Sequence, residues 1–556
     1  MIAKCRLFAV IQRLPHAEAS FDAANRDDYL EGTRVALLHD LQEWAESTDK
    51  SSHVCVLSGA AGTGKSTVAR ELARRLSKKK QLGASFFFVR SAAGDAGTSR
   101  FVFSTIAFQL AASQDFKRCI AEATLQYLND NKGHHLNGQL EKLILEPLKE
   151  IPASHSPVVI ILDAVDECSE SAPGDLIQMF TLLKRLREIP FPFRVLITTR
   201  PEMPIEHAIL AAGFEPAAKR FDMDSIAPED VDADIRHFFT KRFQELYCGR
   251  KILSSRPDAI ERLTTKAERL FIYAQTIVEA LRNDKRPEVA IQRLDSFLVG
   301  ENAAGLSALD TLYLTVLENV YSKSDMENAD VRRRVIAVLA SIVVFQEQVT
   351  LDALSQFFDV TAESAKFTLG DLHSVISFDD QSPDGARIRP LHATFVEFLT
   401  DNLRCRNADF YIDPRVYHAQ LASSCLDFLD NTLRRNICEL PDPTVHKDAV
   451  KDLSSRVHKY ISPQAQYAYR YWSVHIVRAD TSRDIFQRLE GFCAKKILLW
   501  FEALSMMNKL DSAIQALTVV RSWYQVRELF VAHYTIQFTD EEGTLSRNNH
   551  RIIPKY

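Results

Sequence analysis

The sequence predicts an α/β domain, a parallel sheet with helices on both faces, followed by a longer helical part interrupted by one small hairpin. Three observations predict it. The run VCVLSGAAGTGKSTVARELARRL passes from an apolar strand through a glycine loop into a helix. Two later apolar strand patterns, SPVVIILDAVDEC and FRVLITTRPE, each end in polar residues. From Pro228 to about Tyr534 helical spacing dominates, except around the turn signal Asp384-Gly385. A chain of 556 residues is too long for one core, and length alone suggests about three or four domains.

Composition narrows the classes. Apolar content of 46% and charged content of 25% are those of an ordinary globular protein, so no long part need be disordered. A net charge of −5 with no long basic block gives no electrostatic case for nucleic acid or an acidic membrane surface. Nine cysteines without a C-x-x-C pair or a histidine cluster exclude a disulfide framework and a zinc site, and they fit a reducing, cytoplasmic location. The opening MIAKCRLFAVIQRL has a basic start, but Gln12 and Arg13 cut its apolar run, so no signal peptide is expected. VIAVLASIVVF, Val335 to Phe345, is far too short for a membrane span and reads as a buried helix.

In chain order, a helix is expected from Thr33 to Trp44, with Val35, Leu38, Leu41 and Trp44 on one face. Thr33 is its candidate cap, and Thr33 and Arg34 are candidate ligand contacts; a plain capped linker helix is the alternative. Next, Val54 to Leu57 is a buried strand. Gly59, Ala60, Ala61, Gly62, Thr63, Gly64, Lys65 and Ser66 fit the phosphate-loop pattern G-x-x-x-x-G-K-[ST], with Thr67 directly after it. Glycines let backbone N–H groups close around phosphate oxygens, and the following helix adds its N-terminal dipole. Lys65 is placed to reach the outer phosphates and the Ser66 hydroxyl to ligate Mg²⁺. Val68, Leu72 and Leu76 then share a helix face.

Ala84 to Arg90 reads as a second strand, and Ser99 to Leu128 and Gly138 to Ile151 as helical. Val158 to Leu162 is five apolar residues in a row, a central strand whose acidic group begins where it ends. Ligands of open α/β sheets bind at the carboxyl ends of strands, so Asp163 is positioned to hold Mg²⁺. Asp166 and Glu167, just beyond, can orient or deprotonate a water; the competing reading is a set of acidic caps for the next helix. The strand Phe193 to Glu202 carries Arg200 to the same edge, within reach of a γ-phosphate, unless it is a plain surface residue. Arg220 to Met223 is a short fifth strand.

GAAGTGKST, LDAVDEC and LITTRPE, in this order and spacing, resemble the NACHT module of STAND-class P-loop NTPases. The resemblance is closest to the nephrocystin-like N-terminal NACHT domains of fungal NOD-like receptors. Its distinctive features are the small Ala164 after the magnesium aspartate and the acidic pair three positions on. FDAANRDDYLEGTR resembles the family's linker, whose Thr-Arg lies beside the nucleotide. DADIRHFFTKRF and LTTKAERLFIYAQTIVEAL resemble its helical subdomain, with Arg269 where the family has glycine. ALDTLYLTVLENVY resembles the lead-in to a winged helix.

Arg332 to Asp401 reads as a winged helix on its own pattern. Helices are expected over Val335 to Phe345, Leu351 to Phe358 (capped by Thr350) and Ala362 to Leu372. A hairpin of Val375 to Phe378 and Ala386 to Arg389 follows. LHATFVEFL resembles the family's LHxSFxDFL signature, which implies that His392 touches the diphosphate of ADP and locks a closed state. As a competing reading, His392 is a helix-entry residue satisfied in the core. The organisation expected is a linker over 1–48, the NACHT-type P-loop domain over 49–225, a helical subdomain over 226–330, and the winged helix over 331–402. A helical region over 403–535 and a polar tail over 536–556 complete it.

The resemblance implies an ATP/ADP switch with Mg²⁺ as cofactor, in which exchange and slow hydrolysis control opening. Assembly with itself or with related receptors would follow, in signalling of an innate-immunity-like or cell-death kind. The alternative is a nucleotide-binding scaffold with little turnover. A nucleotide kinase would need an acceptor pocket and an arginine-rich lid, and a GTPase would need N-K-x-D, to which NKGH at Asn131 to His134 comes nearest without its aspartate. ATP is preferred over GTP.

Overall fold

The computed structural model describes residues 10–22, 29–49, 53–89, 95–129, 135–168, 174–214, 218–299, 306–379, 387–442, 444, 450, 452–480, 482–510 and 512–525. The opening nine residues, part of the lead-in before Tyr29, Arg90, NKGH, the Asp384-Gly385 turn and the polar tail lie outside them. The chain divides into two compact units, one of Met1–Leu354 with Val360–Ile412 and the other of Ser355–Asp359 with Asp413–Tyr556.

The first unit is built on a five-stranded parallel sheet. Its strands are β1 (Val54–Ser58), β2 (Leu82–Phe87), β3 (Val158–Asp163), β4 (Phe193–Thr199) and β5 (Lys219–Asp222), in the order β2-β3-β4-β1-β5. The central strands are apolar at successive positions because both faces are covered. The two-residue period sorts them: Val54, Val56, Ile160, Leu162, Val195 and Ile197 enter one core. Cys55, Leu57, Val159, Ile161 and Leu196 enter the other.

That second core is closed by α1 (Val35–Glu46) and α2 (Lys65–Lys78) through Leu38, Leu41, Trp44, Val68, Leu72 and Leu76. Each of the fully buried valine and leucine side chains among them contributes about 1.5–3 kcal/mol relative to exposure. The first core takes α3 (Val102–Leu110), α4 (Gln114–Asn129), a run of short turns from Leu136 to Leu148, α5 (Asp175–Lys184) and α6 (Met203–Ala211). Ile11, Leu14, Ala17 and Ala19, expected as linker, are buried in it as well. The Ala19 carbonyl accepts from Phe87 N–H at 2.8 Å, which fastens this segment beside β2.

Helices then follow in series: α7 (Pro228–Glu245), α8 (Gly249–Ser255), α9 (Ala259–Lys266), α10 (Phe271–Arg282), α11 (Pro287–Val299) and α12 (Ala308–Val320). Pro228 at the first turn of α7, with Glu229 and Asp230 beside it, suits the free N–H groups and dipole there. Next come α13 (Lys323–Glu327), α14 (Ala329–Val344), β6 (Val349–Thr350), α15 (Leu351–Phe358), α16 (Ala362–Asp371), β7 (Ile376–Asp379), β8 (Arg387–Pro390) and α17 (Ala393–Thr400). The strands form an antiparallel sheet in the order β6-β8-β7, which with α14 to α16 is a winged-helix arrangement. Helix α14 starts six residues before the expected Val335, because Asn328 caps it through Asp330 and Val331 N–H and its first turns are polar. Thr350 accepts from Ala353 N–H at 3.3 Å, the cap expected of it.

The second unit contains α18 (Pro414–Thr432), α19 (Leu453–Tyr460), α20 (Pro463–Arg478), α21 (Arg483–Lys495) and α22 (Ile497–Met506). Trp472, Phe492 and Trp500 pack edge to face at its centre, and Trp500 Nε1 donates to the Tyr469 carbonyl at 2.7 Å. The aromatic stripes read from the sequence are therefore core. Among the described residues no helix is long and apolar enough to cross a membrane.

Candidate functional site

Strand order brings the motifs together. Because β4 lies between β1 and β3, the residues after β4 stand between the glycine loop and the acidic end of β3. Gly64, at the entry to α2, has φ +99° with open space where a Cβ would be, so glycine is needed there for conformation. Gly62 has φ +82° and is needed for room as well, since a Cβ would come within 2.4 Å of Ile272. The Ile272 N–H donates to Gly62 O at 3.2 Å, so the start of α10 sits directly on the loop.

Lys65 is nearly buried, and its Nζ donates to the carbonyls of Gly59 at 2.6 Å and Ala60 at 2.8 Å. Burial lowers its pKa, opposed by Asp166 and Asp163 nearby. Thr63 Oγ1 donates to Ala60 O, and Ala60 N–H donates to Asp224 Oδ2 at 3.1 Å; Asp224 follows β5 and escaped the sequence reading. The sequence pattern brings the loop residues Ala61 and Thr67 into the same turn and first helical turn, with no side-chain role of their own to add.

Asp163 is 2% exposed at the end of β3. Burial raises its pKa, and hydrogen bonds from Thr198 and Ser66 pull the other way. Thr198 Oγ1 donates to Asp163 Oδ1 at 2.5 Å and accepts Ala164 N–H at 2.8 Å. The two oxygen donors expected to hold Mg²⁺, Ser66 and Asp163, are thus adjacent. Ala164 has φ +55°, which explains a small residue here: a left-handed backbone penalises side chains with a branched Cβ most.

Asp166 and Glu167 share the turn Val165–Glu167. Both Asp166 oxygens engage Arg200: Oδ1 accepts its backbone N–H at 3.1 Å, and Oδ2 lies 3.0 Å from its Nε. Arg200 Nη1 donates to Glu397 Oε1 at 2.7 Å. Glu397 was not singled out in the sequence, although it occupies the acidic position of LHATFVEFL.

Upstream, the structure corrects one expectation. Helix α1 begins at Val35 with Arg34 at its N-cap, at φ +50°, and Thr33 is not the cap. Instead Thr33 Oγ1 donates to Leu30 O at 2.8 Å, and Thr33 is buried. Arg34 lies against the loop: its Nη2 donates to Thr63 O at 3.3 Å and its guanidinium covers the Phe271 ring at 5.1 Å. Its backbone N–H donates to Asp234 Oδ2 at 3.0 Å, yet Nε and Nη1 have no hydrogen-bond partner among the described residues. Nε lies 3.9 Å from Asp234 Oδ2, a loose ion pair, so buried guanidinium donors without a hydrogen bond stand beside the phosphate loop, where they fit an anionic or carbonyl-bearing ligand.

His392 is the N-cap of α17, where its Nδ1 accepts Thr394 N–H at 3.2 Å and lies 2.7 Å from Thr394 Oγ1. Thr394 Oγ1 in turn meets the buried Tyr313 hydroxyl at 2.8 Å. Arg269 takes φ +65°, directly after Glu268 at φ +46°. The fold keeps the left-handed turn and carries its strain, roughly 1–2 kcal/mol per residue.

Chemically, the strand ends offer backbone N–H groups and Lys65 for phosphate, Ser66 and Asp163 for a divalent cation, and Asp166 and Glu167 for a water. This glycine loop and sheet make the segment a P-loop NTPase module of NACHT-like kind. Residues 32–200 match the family described as Nephrocystin 3, N-terminal. No curated protein matches the chain. Among solved structures, the chain is similar to the Orc1 protein of Aeropyrum pernix in complex with DNA. That likeness has 14% identity over 72% of this chain and 96% of that one, with a TM-score of 0.29. A Walker-type ATPase of Pyrococcus abyssi is similar at 12% identity over 70% and 99%, TM-score 0.32. The Drosophila ORC bound to DNA is similar at 13% over 71% and 91%, TM-score 0.29. At TM-scores this low none of them bears on what this chain binds.

Proposed function

We propose that the chain is an ATP/ADP-operated switch of the NACHT type. Lys65 and the loop from Gly59 to Thr67 hold the phosphates, Ser66 and Asp163 the Mg²⁺. Arg34 reaches the nucleotide from the linker side, and Arg200 senses the γ-phosphate. The single observation that carries this reading is convergence on adjoining strand ends from three directions, two of them on the glycine loop itself. Arg34 contacts Thr63, Ile272 of α10 contacts Gly62, and Glu397 of α17 contacts Arg200 at the neighbouring strand end. An enzyme needs a substrate pocket; a switch needs its nucleotide to touch elements that can move, and these contacts supply them. The elements between 226–330 act as the helical subdomain and those between 331–402 as the winged helix, with His392 as a further lock on ADP. Exchange for ATP frees the winged helix and exposes an assembly surface, and slow hydrolysis through Glu167 resets it in a signalling role.

One observation favours a second reading, a nucleotide-binding scaffold with little turnover. Asp166 commits both oxygens to Arg200, which takes one carboxylate of the expected pair away from water. The test of the site is calorimetry of ADP and a non-hydrolysable ATP analogue with Mg²⁺. Lys65→Ala is expected to abolish both titrations; unaltered affinity would sink the assignment.

A further inference from the structure

Glu397 sits one turn into α17, and its contact with Arg200 has a consequence for the nucleotide. The pair is 2.7 Å apart, with Arg200 15% and Glu397 23% exposed, so it is poorly screened by solvent. Arg200 divides its donors: Nη1 goes to Glu397, and Nε and the backbone N–H go to Asp166. On the other side, Glu397 Oε2 lies 3.6 Å from Arg404 Nη1, while Arg404 Nη2 lies 2.8 Å from Asp310 of α12. Charges of alternating sign therefore run Asp166, Arg200, Glu397, Arg404, Asp310, from the acidic end of β3 to α12. Burial alone would lower the Arg200 pKa, but Glu397 and Asp166 raise it above its ordinary value, so the guanidinium is held charged.

We propose that Glu397 is an internal stand-in for a terminal phosphate. It is a positioning residue that holds Arg200 on the winged helix and makes the site discriminate between nucleoside diphosphate and triphosphate. The proposal rests on the reading of these strand ends as an ATP/ADP site. A guanidinium binds carboxylate and phosphoryl oxygens through the same donor geometry, so the two compete for it. Nη1 cannot remain 2.7 Å from Glu397 and also turn to a γ-phosphate, so a triphosphate that takes up this nitrogen, rather than Nη2 alone, displaces Glu397. A diphosphate brings no such competitor and leaves the pair made. ATP binding thus costs the contact between Arg200 and α17, and that cost is what couples the phosphate count to the winged helix.

The test compares ADP and a non-hydrolysable ATP analogue, with Mg²⁺, on the full chain and on Glu397→Gln, Arg200→Gln and the double variant, each checked for its melting transition. Glu397→Gln removes the charge and keeps the shape. It is expected to raise the ratio of ADP to ATP-analogue dissociation constants about tenfold, within the range usual for coupled sites. In the Arg200→Gln background it is expected to do nothing more. Glu397→Asp, which shortens the reach, is the milder variant if Glu397→Gln does not fold, and its shift is expected in the same direction and smaller. An equal weakening of both nucleotides, or an unchanged ratio, would overturn the proposal, since a merely structural anchor for α17 behaves so. The same shift with Arg200 removed would overturn it too. A wild-type chain that binds neither nucleotide overturns the site reading itself and this proposal with it.

Discussion

Glu167 and Asp166 differ in one respect that decides their chemistry. A general base must be able to take a proton from water, and a carboxylate bound twice to a guanidinium is a poor acceptor. Asp166 is bound that way to Arg200, so in the proposed reading it aims Arg200 and the base expected of the acidic pair is Glu167 on the same turn. Glu167→Gln is accordingly expected to keep nucleotide affinity and slow hydrolysis at least ~10²-fold, measured as phosphate release in single turnover. A normal rate would return the base to Asp166. That the loop, Asp163 and Arg200 lie at one edge of the sheet was legible in the sequence, because each follows an apolar strand at fixed local spacing. Asp224, Thr198 and Glu397 were not assigned a role, since what they touch lies far along the chain and depends on strand order. Thr33 was misread for a related reason: Arg34 takes the N-cap position, and the Thr33 hydroxyl donates back to the Leu30 carbonyl instead of accepting from the helix end.

At the scale of elements, periodicity located the strands and most helices to within a few residues, because burial on both sheet faces leaves an unbroken apolar run. Helix starts were less legible where the first turns are polar, as in α14. What periodicity cannot show is which polar groups two helices bury between them. Helices α18 and α20 face each other through His418 and His475, whose Nδ1 atoms are 2.8 Å apart, and Tyr467 OH lies 2.8 Å from His475 Nε2. Two ring nitrogens at that distance share one proton, so at least one acts as acceptor and is unprotonated. Burial lowers the His418 pKa from the ordinary 6.5 to about 4, and burial beside His418 and Arg478 lowers that of His475 further below its ordinary value. A lowered histidine pKa means that the unfolded chain binds more protons between those values, so stability falls as pH drops through this window. For His418 the loss approaches roughly 3 kcal/mol by pH 4, at 1.36 kcal/mol per pH unit. Protection factors of the α18 and α20 amides, corrected for the intrinsic exchange rate at each pH, are expected to fall from pH 6.5 to 4, and His418→Phe to flatten that dependence. Protection that ignores pH in this window would mean that the pair tolerates charge.

Over the whole molecule the question is whether nucleotide contacts are strong enough to operate a switch. Moving a two-state equilibrium from 1:99 to 99:1 takes about 5.5 kcal/mol of differential binding. A hydrogen bond to a charged group contributes about 1.5–3 kcal/mol net, so two to four such bonds made in only one state suffice. The strand ends provide that number. In the proposed switch Arg200 to Glu397 is made on one side of the equilibrium, while Arg200 and a Mg²⁺ held by Ser66 and Asp163 would engage a γ-phosphate on the other. Arg34, whose Nε and Nη1 have no hydrogen-bond partner among the described residues, would add to whichever state presents it an acceptor. The switch reading therefore requires the two nucleotides to differ in what they do to the chain, beyond how tightly they bind. Light scattering of the full chain with ADP and Mg²⁺ is expected to give the mass of one chain, 63.0 kDa, and with a non-hydrolysable ATP analogue a multiple of it. The multiple should disappear in Lys65→Ala, because assembly that survives loss of the phosphate lysine is not driven by nucleotide. Equal masses in both nucleotides, with binding of both intact, would remove assembly from the function and leave the scaffold reading in its place.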